Sequence, residues 1–468
     1  MNEFRKESDS MGDMEIPVSA LYGASTQRAV QNFKISNEKI NHELIKAYAL
    51  IKWASAEVNS RFDIISSNKA RYIKRAAQEI IDGHHYDHFP VDVYQTGSGT
   101  STNMNVNEVI SNRCTQLLKD DNINSIIIHP NDDVNQSQSS NDTFPTAMHI
   151  SAVLAVKRFL LPELEGLKSD LELKSNLFKG IIKIGRTHLM DATPITLGSE
   201  FSGFARQIEL SITRISNALE SLYELALGGT AVGTGLNCHK DFAKEVIEII
   251  SAKTDTKFKE AKNHFEAQSA KDALVELHGQ VNTTNVSINK IANDIRMLAA
   301  GPMCNLGEIK LPSIQPGSSI MPGKVNPVIS EALTMVAARV FGNQTTITWC
   351  GANGHLQLNA YMPLMIKCTL ESINLTANGI STFRQKCLKG IQANEDRCNS
   401  FVEKSLAMAT SLAPIIGYDF ASKIAKLSLA KKQSVYDVCI NMLGEINIEF
   451  PDLDENKLKE VLDPKNMI

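Results

Sequence analysis

Residues 317–327 carry the densest set of groups in this chain that could bind and transform an anion. They read Gly-Ser-Ser-Ile-Met-Pro-Gly-Lys-Val-Asn-Pro. Two glycines and two prolines predict a loop, because neither residue type is favoured inside a helix or strand. Two hydroxyls (Ser318 and Ser319), an ammonium (Lys324) and an amide (Asn326) suit an anion with several oxygens. We interpret the loop as a carboxylate site rather than a metal site.

A phosphate-binding loop is the obvious alternative for a glycine-rich segment with a lysine. That motif needs four residues between its glycines and a Ser or Thr directly after the lysine. Here five residues separate Gly317 from Gly323, and Val325 follows Lys324. The spacing and the residue type both exclude the alternative.

Three further segments concentrate small polar residues. In residues 96–108, Gly97 and Gly99 precede what looks like a helix start, where free N–H groups attract anions; a plain capped glycine turn is the other interpretation. Residues 129–142 are similarly polar around Ser139. Residues 185–194 contribute His188, which we expect in a polar turn between two long helices, although a lone histidine is often only structural.

The bulk properties indicate a soluble globular protein of two to four domains. The chain has 468 residues, and its net charge of −4 comes from dispersed charged residues, so we expect neither a nucleic acid nor a membrane partner. No apolar run approaches the roughly 20 residues that span a bilayer. The first ten residues lack a signal-peptide core, and we therefore expect a cytoplasmic protein.

The metal-binding residue types form no convincing site. The eight cysteines contain no CxxC pair and cluster with no histidine, which predicts buried free thiols, no disulfide and no metal. His84, His85 and His88 could be read as ligands. Because Gly83 and Pro90 flank them, we predict a polar surface turn instead.

Long amphipathic helices must hold these segments. Apolar residues recur at three- and four-residue steps in residues 151–177, 198–227, 272–298 and 327–349. Helices of that length are typical of a bundle of elongated rods. Their stripes are broad enough for subunit association as well as for core packing. Short strands and turns are expected near residues 16–22.

Taken together, these segments closely resemble the fumarase/aspartase superfamily and, within it, the class II fumarases. The resemblance runs nearly end to end, from residues 22–28 through 228–237 and 317–327 to 462–464. The loop is shared across the superfamily. His188 and the Thr-Gly-Leu-Asn stretch at 234–237 favour fumarase, since aspartases carry glutamine at the position of His188.

The resemblance implies roles for individual residues. Ser318 matches the base that removes a Cβ proton from malate, and His188, paired with Glu331, matches the group that handles the departing hydroxyl or attacking water. The positions that match substrate contacts are Ser98, Gly99, Thr100, Ser139, Ser140, Asn141, Thr187, Ser319, Lys324, Val325 and Asn326. A second dicarboxylate site is implied at His129, Pro130, Asn131 and Asp132. No cofactor and no metal are implied.

The chemistry is consistent with those roles. Removing a proton next to a carboxylate builds a second negative charge on it, which Lys324, Asn326 and preorganised N–H groups would stabilise. Serine is a poor base in water, and loop N–H donors with Lys324 would lower its pKa. Glu331 beside His188 would fix the imidazole tautomer.

Several positions depart from the family pattern. Residues 125–128 are Ser-Ile-Ile-Ile, where fumarases commonly place basic side chains, which weakens the second dicarboxylate site. Gln357 and Met362 stand where a glutamate and a lysine are usual, and Met303 replaces the customary arginine. The three catalytic positions, Lys324 and Asn326 are unaffected.

The implied fold is mainly α, with an N-terminal domain (1–138), a central long-helix bundle (139–396) and a small C-terminal helical domain (397–468). The resemblance also implies a homotetramer whose active sites take loops from three subunits. The implied activity is reversible hydration of fumarate to (S)-malate in the tricarboxylic acid cycle. An aspartate ammonia-lyase and a catalytically silent relative are the alternatives.

Overall fold

The fold of the chain, seen in a computed structural model that describes residues 3–468, is mainly helical, as predicted. The N-terminal part contains β1 (Phe4–Asp9), β2 (Gly12–Pro17), α1 (Ala24–Asn32), α2 (His42–Arg61), α3 (Ser67–Ile81) and α4 (Thr100–Asp120). The middle part contains α5 (Ser140–Ala155), α6 (Leu161–Leu177), β3 (Ile182–Thr187), β4 (Met190–Thr196), α7 (Leu197–Leu222), β5 (Glu224–Leu225), α8 (Phe242–Thr254), β6 (Lys259–Glu260), α9 (His264–Ser269), α10 (Asp272–Leu298), β7 (Ile309–Lys310), α11 (Val328–Ala352) and α12 (Met362–Lys386). The C-terminal part contains β8 (Gln392–Ala393), α13 (Glu395–Lys404), α14 (Ala413–Ile416), α15 (Tyr418–Lys431), α16 (Val435–Asn441), α17 (Leu443–Glu449) and α18 (Glu455–Val461).

The strands form only two-stranded ribbons within the described residues. The pairs β1–β2, β3–β4 and β7–β8 are antiparallel, and β5–β6 is parallel. The β1–β2 hairpin confirms short strands in the N-terminal region, although it begins earlier than predicted. The turn around His84 is also confirmed, since only a three-residue 3₁₀ turn, Tyr86–His88, interrupts the segment.

The four predicted long helices are confirmed. The prediction for 272–298 matches α10 at both ends, and the prediction for 327–349 matches α11 closely. The predicted helix 151–177 is part of a longer helical stretch, in which a π-helical turn (Val156–Leu160) joins α5 to α6. The predicted helix 198–227 ends earlier, with α7 at Leu222.

One helical stretch, Ser140–Leu177, is long and apolar enough by composition to cross a bilayer. In its most apolar window, however, 78% of the residues are buried inside the protein. An amphipathic surface would not explain that burial, whereas a core helix of a globular protein does. We therefore assign the apolar window of this stretch to the protein interior.

The chain folds into two compact units, each discontinuous in sequence. The first contains the chain up to Pro162, Ile212–Asn285 and Ala338–Ala377, and the second contains Glu163–Ser211, Val286–Ala337 and Asn378–Ile468. The three domain ranges expected from the sequence remain a prediction.

Helix α2 is the centre of the first unit and packs against α3, α5 and α8. Asn41 starts it by accepting a hydrogen bond from the Glu43 amide at 2.8 Å. Tyr48 on this helix, Tyr72 on α3 and Phe144 on α5 are completely buried. The edge-to-face contact between the Tyr48 and Phe144 rings fixes α2 against α5, which begins in one of the polar clusters.

The second unit contains a separate apolar core in its C-terminal helices. Its members share nearly complete burial and include Val402, Leu412, Ile424, Val438, Ile446 and Leu458. Elsewhere in this unit, Arg384 forms ion pairs with Glu163 at 2.7 Å and Asp170 at 2.8 Å. These half-buried ion pairs connect α12 to α6.

Lys271, between α9 and α10, is a buried lysine with a structural role. Its ammonium donates to three backbone carbonyls, those of Ala267, Gln268 and Ala270, and so closes the C-terminal end of α9. Burial lowers the pKa of Lys271 from 10.5 to about 7. The folded state therefore releases this proton at lower pH than the unfolded state does.

We expect this shift to make stability depend on pH. Between pH 7 and about pH 10 the unfolded chain binds more protons at Lys271, so the free energy of unfolding should rise with pH over that window. Lys271→Met should remove the contribution and give a flatter rise in Tm from pH 7 to 10 than wild type. Parallel Tm curves in differential scanning fluorimetry would contradict it.

Candidate active site

The start of α4 presents an open anion-binding end. Gly99 caps the helix in a left-handed conformation (φ 76°) without any side-chain cap, and a Cβ there would overlap the Phe144 ring. The Ser98 and Thr100 hydroxyls lie 2.9 Å apart. In residues 3–468 the Thr100 and Ser101 amides find no acceptor. Free amides and hydroxyls at a helix start are groups that can bind a carboxylate, and their role here stays a prediction.

The start of α5 is the second such end. Ser139 and Asp142 form a capping box, in which the Ser139 hydroxyl accepts from the Asn141 amide and the Asp142 carboxylate accepts from the Ser139 amide at 2.9 Å. Asn103 on α4 donates to the Ser140 hydroxyl at 3.0 Å. The structure thus brings the predicted residues of the first two clusters together.

Asp142 also connects residues 228–231 to the start of α5 by hydrogen bonds. Its carboxylate accepts from the amides of Gly228 at 3.1 Å and Thr230 at 3.0 Å. The Asn141 side chain donates to the Ala231 carbonyl at 2.8 Å. Burial raises the pKa of Asp142 to about 6, although its backbone hydrogen bonds and the nearby Lys52 oppose this shift.

The predicted second dicarboxylate site is a surface turn with a π-helical hydrogen-bond pattern, Pro130–Val134. His129 Nδ1 accepts from the amides of Asn131 at 3.3 Å and Asp132 at 3.2 Å, which leaves Nε2 facing outward. Asp132 is 82% exposed and adds negative charge. The structure therefore places these four residues together, while their role in binding stays a prediction.

His188 occupies the tip of the β3–β4 hairpin rather than a simple turn between two helices, so the sequence analysis missed both strands. His188 and Leu189 are left-handed (φ 55° and 62°) between the paired residues Thr187 and Met190. Two consecutive left-handed residues match a tight two-residue hairpin turn. The turn projects the exposed imidazole away from the ribbon.

Buried ion pairs fix the base of this hairpin. Arg186 donates two hydrogen bonds to Glu308, at 2.9 and 3.0 Å, and the Glu308 side chain is completely buried. Lys183 pairs with Glu200 at 2.9 Å and with Glu308 at 3.3 Å. Paired buried charges of this kind restrict the geometry of β3, which ends at Thr187 directly before His188.

The predicted loop 317–327 is confirmed as a loop, and it is closed on itself. The Gly317 amide donates to the Lys324 carbonyl at 2.8 Å, and the Asn326 side chain donates to the Gly317 carbonyl at 2.7 Å. The Ser318 hydroxyl accepts from the amides of Ile320 at 3.2 Å and Met321 at 3.0 Å. Two N–H donors therefore point at the oxygen expected to act as the base.

Several predicted side chains have no partner within the described chain. In residues 3–468 no hydrogen bond or ion pair involves the side chains of His188, Lys324 or Glu331, and none joins His188 to Glu331. Lys324 and Ser319 are exposed, and Val325 is 44% exposed. Glu331 is half-buried in the first turn of α11. The predicted imidazole–carboxylate pair is not formed within one chain.

The three positions at which the side chain differs from the usual family residue, Met303, Gln357 and Met362, differ in their burial. Met362 is completely buried at the start of α12, where its amide donates to the Gly97 carbonyl at 3.1 Å. Gln357 is exposed, and Met303 is 84% exposed in the turn after Pro302. Among the described residues no group of three or more His, Cys, Asp or Glu could hold a metal ion.

Four polar residues behind the two helix ends were not predicted to support the site. Lys52, Asn103, Asn135 and Asp142 connect α2, α4 and α5 through side-chain hydrogen bonds or close charges. Lys52 could have been noticed in the sequence, because it lies in the otherwise apolar or small run 47–56, which is typical of a buried helix.

Comparison with known proteins identifies the class. A family model described as "Lyase" matches residues 12–342, and one described as "Fumarase C C-terminus" matches residues 408–468. The chain therefore belongs to the lyase family. The mitochondrial fumarate hydratase of Rhizopus oryzae is 51% identical over 428 residues, which cover 91% of this chain and 86% of that protein.

Two further comparisons show to which group within the lyase family the chain belongs. The class II fumarate hydratase of Nitrosomonas europaea is 48% identical over 463 residues, covering 98% of this chain and 100% of that protein. The crystal structure of recombinant class II fumarase from Schistosoma mansoni matches with a TM-score of 0.94 at 37% identity and covers 99% of each chain. Within the lyase family, the chain belongs to the class II fumarases, which confirms the resemblance.

Proposed function

We propose that this chain catalyses the reversible hydration of fumarate to (S)-malate, as a hydro-lyase with Ser318 as its base. Membership of the class II fumarases supports the reaction. The observation that best supports this chemistry is that the Ser318 hydroxyl accepts hydrogen bonds from two loop amides. Lys324, which has no partner among the described residues, lies on the same loop. The reaction belongs to the tricarboxylic acid cycle.

In the dehydration direction, Ser318 removes a Cβ proton from malate. The Ile320 and Met321 amides stabilise the alkoxide form of the serine, because hydrogen bonds to a charged form lower its energy. Charge then builds on the carboxylate next to the reacting carbon. Lys324 stabilises that charge more strongly in the transition state than in the ground state.

The hydroxyl leaves from the opposite face of the substrate. His188 donates the proton that converts it to water, and Glu331 orients the imidazole. The substrate carboxylates bind at the starts of α4 and α5, where Ser98, Thr100 and the helix amides are available. In the hydration direction His188 activates the attacking water.

The working form is a homotetramer in the cytoplasm, and each site takes segments from different subunits. The unpaired His188, Lys324 and Glu331 side chains support this arrangement, because catalytic groups need ordered partners. Large apolar side chains are also exposed on a single chain. They lie at the hairpin tip and on the long helices: Leu189 74%, Met190 70%, Met335 67%, Trp349 55% and Val286 54%.

Purified protein supplied with malate should form fumarate without added metal or nucleotide, because the proposed site supplies its own charge stabilisation. Absorbance of the fumarate double bond measures the product, and activity should be unchanged after chelator treatment. Activity lost on chelation and restored by a metal ion or an iron–sulfur cluster would refute the mechanism. Fumarate formed from aspartate but not from malate would favour the ammonia-lyase instead.

A further inference from the structure

Lys52, in the middle of α2, is a completely buried cation outside the expected catalytic set. Its ammonium donates to Asn135 Oδ1 at 2.9 Å and to Gln138 Oε1 at 3.0 Å. In residues 3–468 no carboxylate lies within 4 Å of it, and Asp142 acts on it only at longer range. Because burial without an ion pair is costly, the position of this lysine needs an explanation.

Asn135, one of the two acceptors of Lys52, connects this lysine to the starts of α4 and α5. Asn135 Oδ1 also accepts from Asn103 Nδ2 at 3.1 Å and from Asn107 Nδ2 at 3.2 Å. Asn103 Nδ2 donates in turn to the Ser140 hydroxyl at 3.0 Å. A continuous set of hydrogen bonds therefore runs from Lys52 on α2 through Asn135 and α4 to the first residue of α5.

These hydrogen bonds set the first turn of α4 against the first turn of α5. Asn103 lies one turn after Thr100, and Ser140 directly follows the capping residue Ser139. Hydrogen bonds to a carboxylate need donor–acceptor distances near 2.9 Å, so a relative shift of 1 Å between the helices would spoil them. The register of the two helix starts therefore decides how well a dicarboxylate is held.

The network is not optimised for stability. Asn103 Oδ1 and Asn107 Oδ1 are buried without any hydrogen-bond partner in residues 3–468. Burial also lowers the pKa of Lys52 to about 7. Two unsatisfied acceptors and a desolvated amine cost stability, and proteins keep such costs mainly at functional sites.

We propose that Lys52 is a positioning residue that aligns the starts of α4 and α5 for binding of the substrate carboxylates. This inference rests on the proposed function. Lys52 is completely buried and donates only to Asn135 and Gln138, so it would act on the substrate through other residues. Its loss should therefore affect substrate binding more than the chemical step.

The test compares Lys52→Met with Lys271→Met in the intact assembled protein. Both lysines are at most 1% exposed and both substitutions remove a buried ammonium, but Lys271 donates only to carbonyls at the end of α9. Lys52→Met should raise KM for malate and fumarate about tenfold and change kcat much less. Binding of succinate, a dicarboxylate that cannot react, should weaken by a similar factor in calorimetry.

Lys271→Met should lower Tm but leave KM and the succinate Kd within about twofold of wild type. Equal KM values for wild type and Lys52→Met would overturn the inference, as would equal KM increases in both lysine variants. If Lys52→Met fails to fold, Gln138→Leu removes one acceptor at a half-buried position and should raise KM several-fold. An unchanged KM in that variant would equally overturn it. Absence of malate turnover in wild type and Lys271→Met would refute the proposed function separately.

Discussion

Ser318→Ala should lower kcat by about 10²–10⁴-fold, the usual contribution of a positioned general base. The substitution removes the oxygen that would take the Cβ proton. The same oxygen accepts hydrogen bonds from the Ile320 and Met321 amides. Both amides lie at exposed positions, so water can replace the lost acceptor. We therefore expect Tm to change by only about 1–2 °C.

Ser313→Ala is the matched control for this variant. Ser313 lies on the same connecting segment, five residues earlier, and is exposed. It should retain wild-type kcat and KM. Near-wild-type turnover by Ser318→Ala, in initial rates on malate and fumarate, would move the base role to another group, with His188 the first candidate.

The long helices could be predicted from the sequence because their apolar positions repeat along stretches of 23 to 30 residues. For α10, seven apolar residues on one stripe between positions 274 and 298 gave both ends correctly. The start of α5 was predicted eleven residues too late. The polar residues 139–142 and Pro145 concealed a helix start, although Ser139 and Asp142 have the spacing of a capping box.

The β3–β4 hairpin could not be predicted in the same way. Each strand has only six or seven residues, and the turn carries His188 and Leu189 where Asn-Gly or Asp-Gly would normally signal a hairpin. A left-handed conformation is uncommon for histidine and leucine. The ion pairs of Arg186 and Lys183 with Glu308 form only in the folded chain, since 122 residues separate Arg186 from Glu308.

The loop and the start of α4 were predicted, whereas the helix start at Ser140 and the residues that support both helix starts were not. Residue types alone singled out Ser139 and Lys324, and the family resemblance added Ser98. The alignment of α4 with α5 depends on Lys52 and Asn135, which long-range packing brings together. The predicted pairing of His188 with Glu331 is not made within the described residues of one chain, and its formation between subunits stays a prediction.

The second prediction with a large expected effect concerns the activity of mixed oligomers. It follows from the absence of a His188–Glu331 contact within one chain. If each site takes its His188 hairpin and its 317–327 loop from different subunits, two inactive variants can repair each other. His188→Asn damages only the hairpin and Ser318→Ala only the loop, and each should be nearly inactive alone. In a statistical 1:1 mixture of a symmetric oligomer, about a quarter of the sites would receive both segments intact.

The experiment co-expresses the two variants, or mixes them after reversible dissociation, and confirms mixed oligomers by native mass spectrometry. Activity should then rise to about a quarter of the wild-type value, because the repaired sites contain every catalytic group. A mixture of His188→Asn with the His188→Asn/Ser318→Ala double variant is the control. It contains no intact hairpin and must stay inactive. If the mixed oligomers of the two single variants are as inactive as their parents, each site is built within one chain.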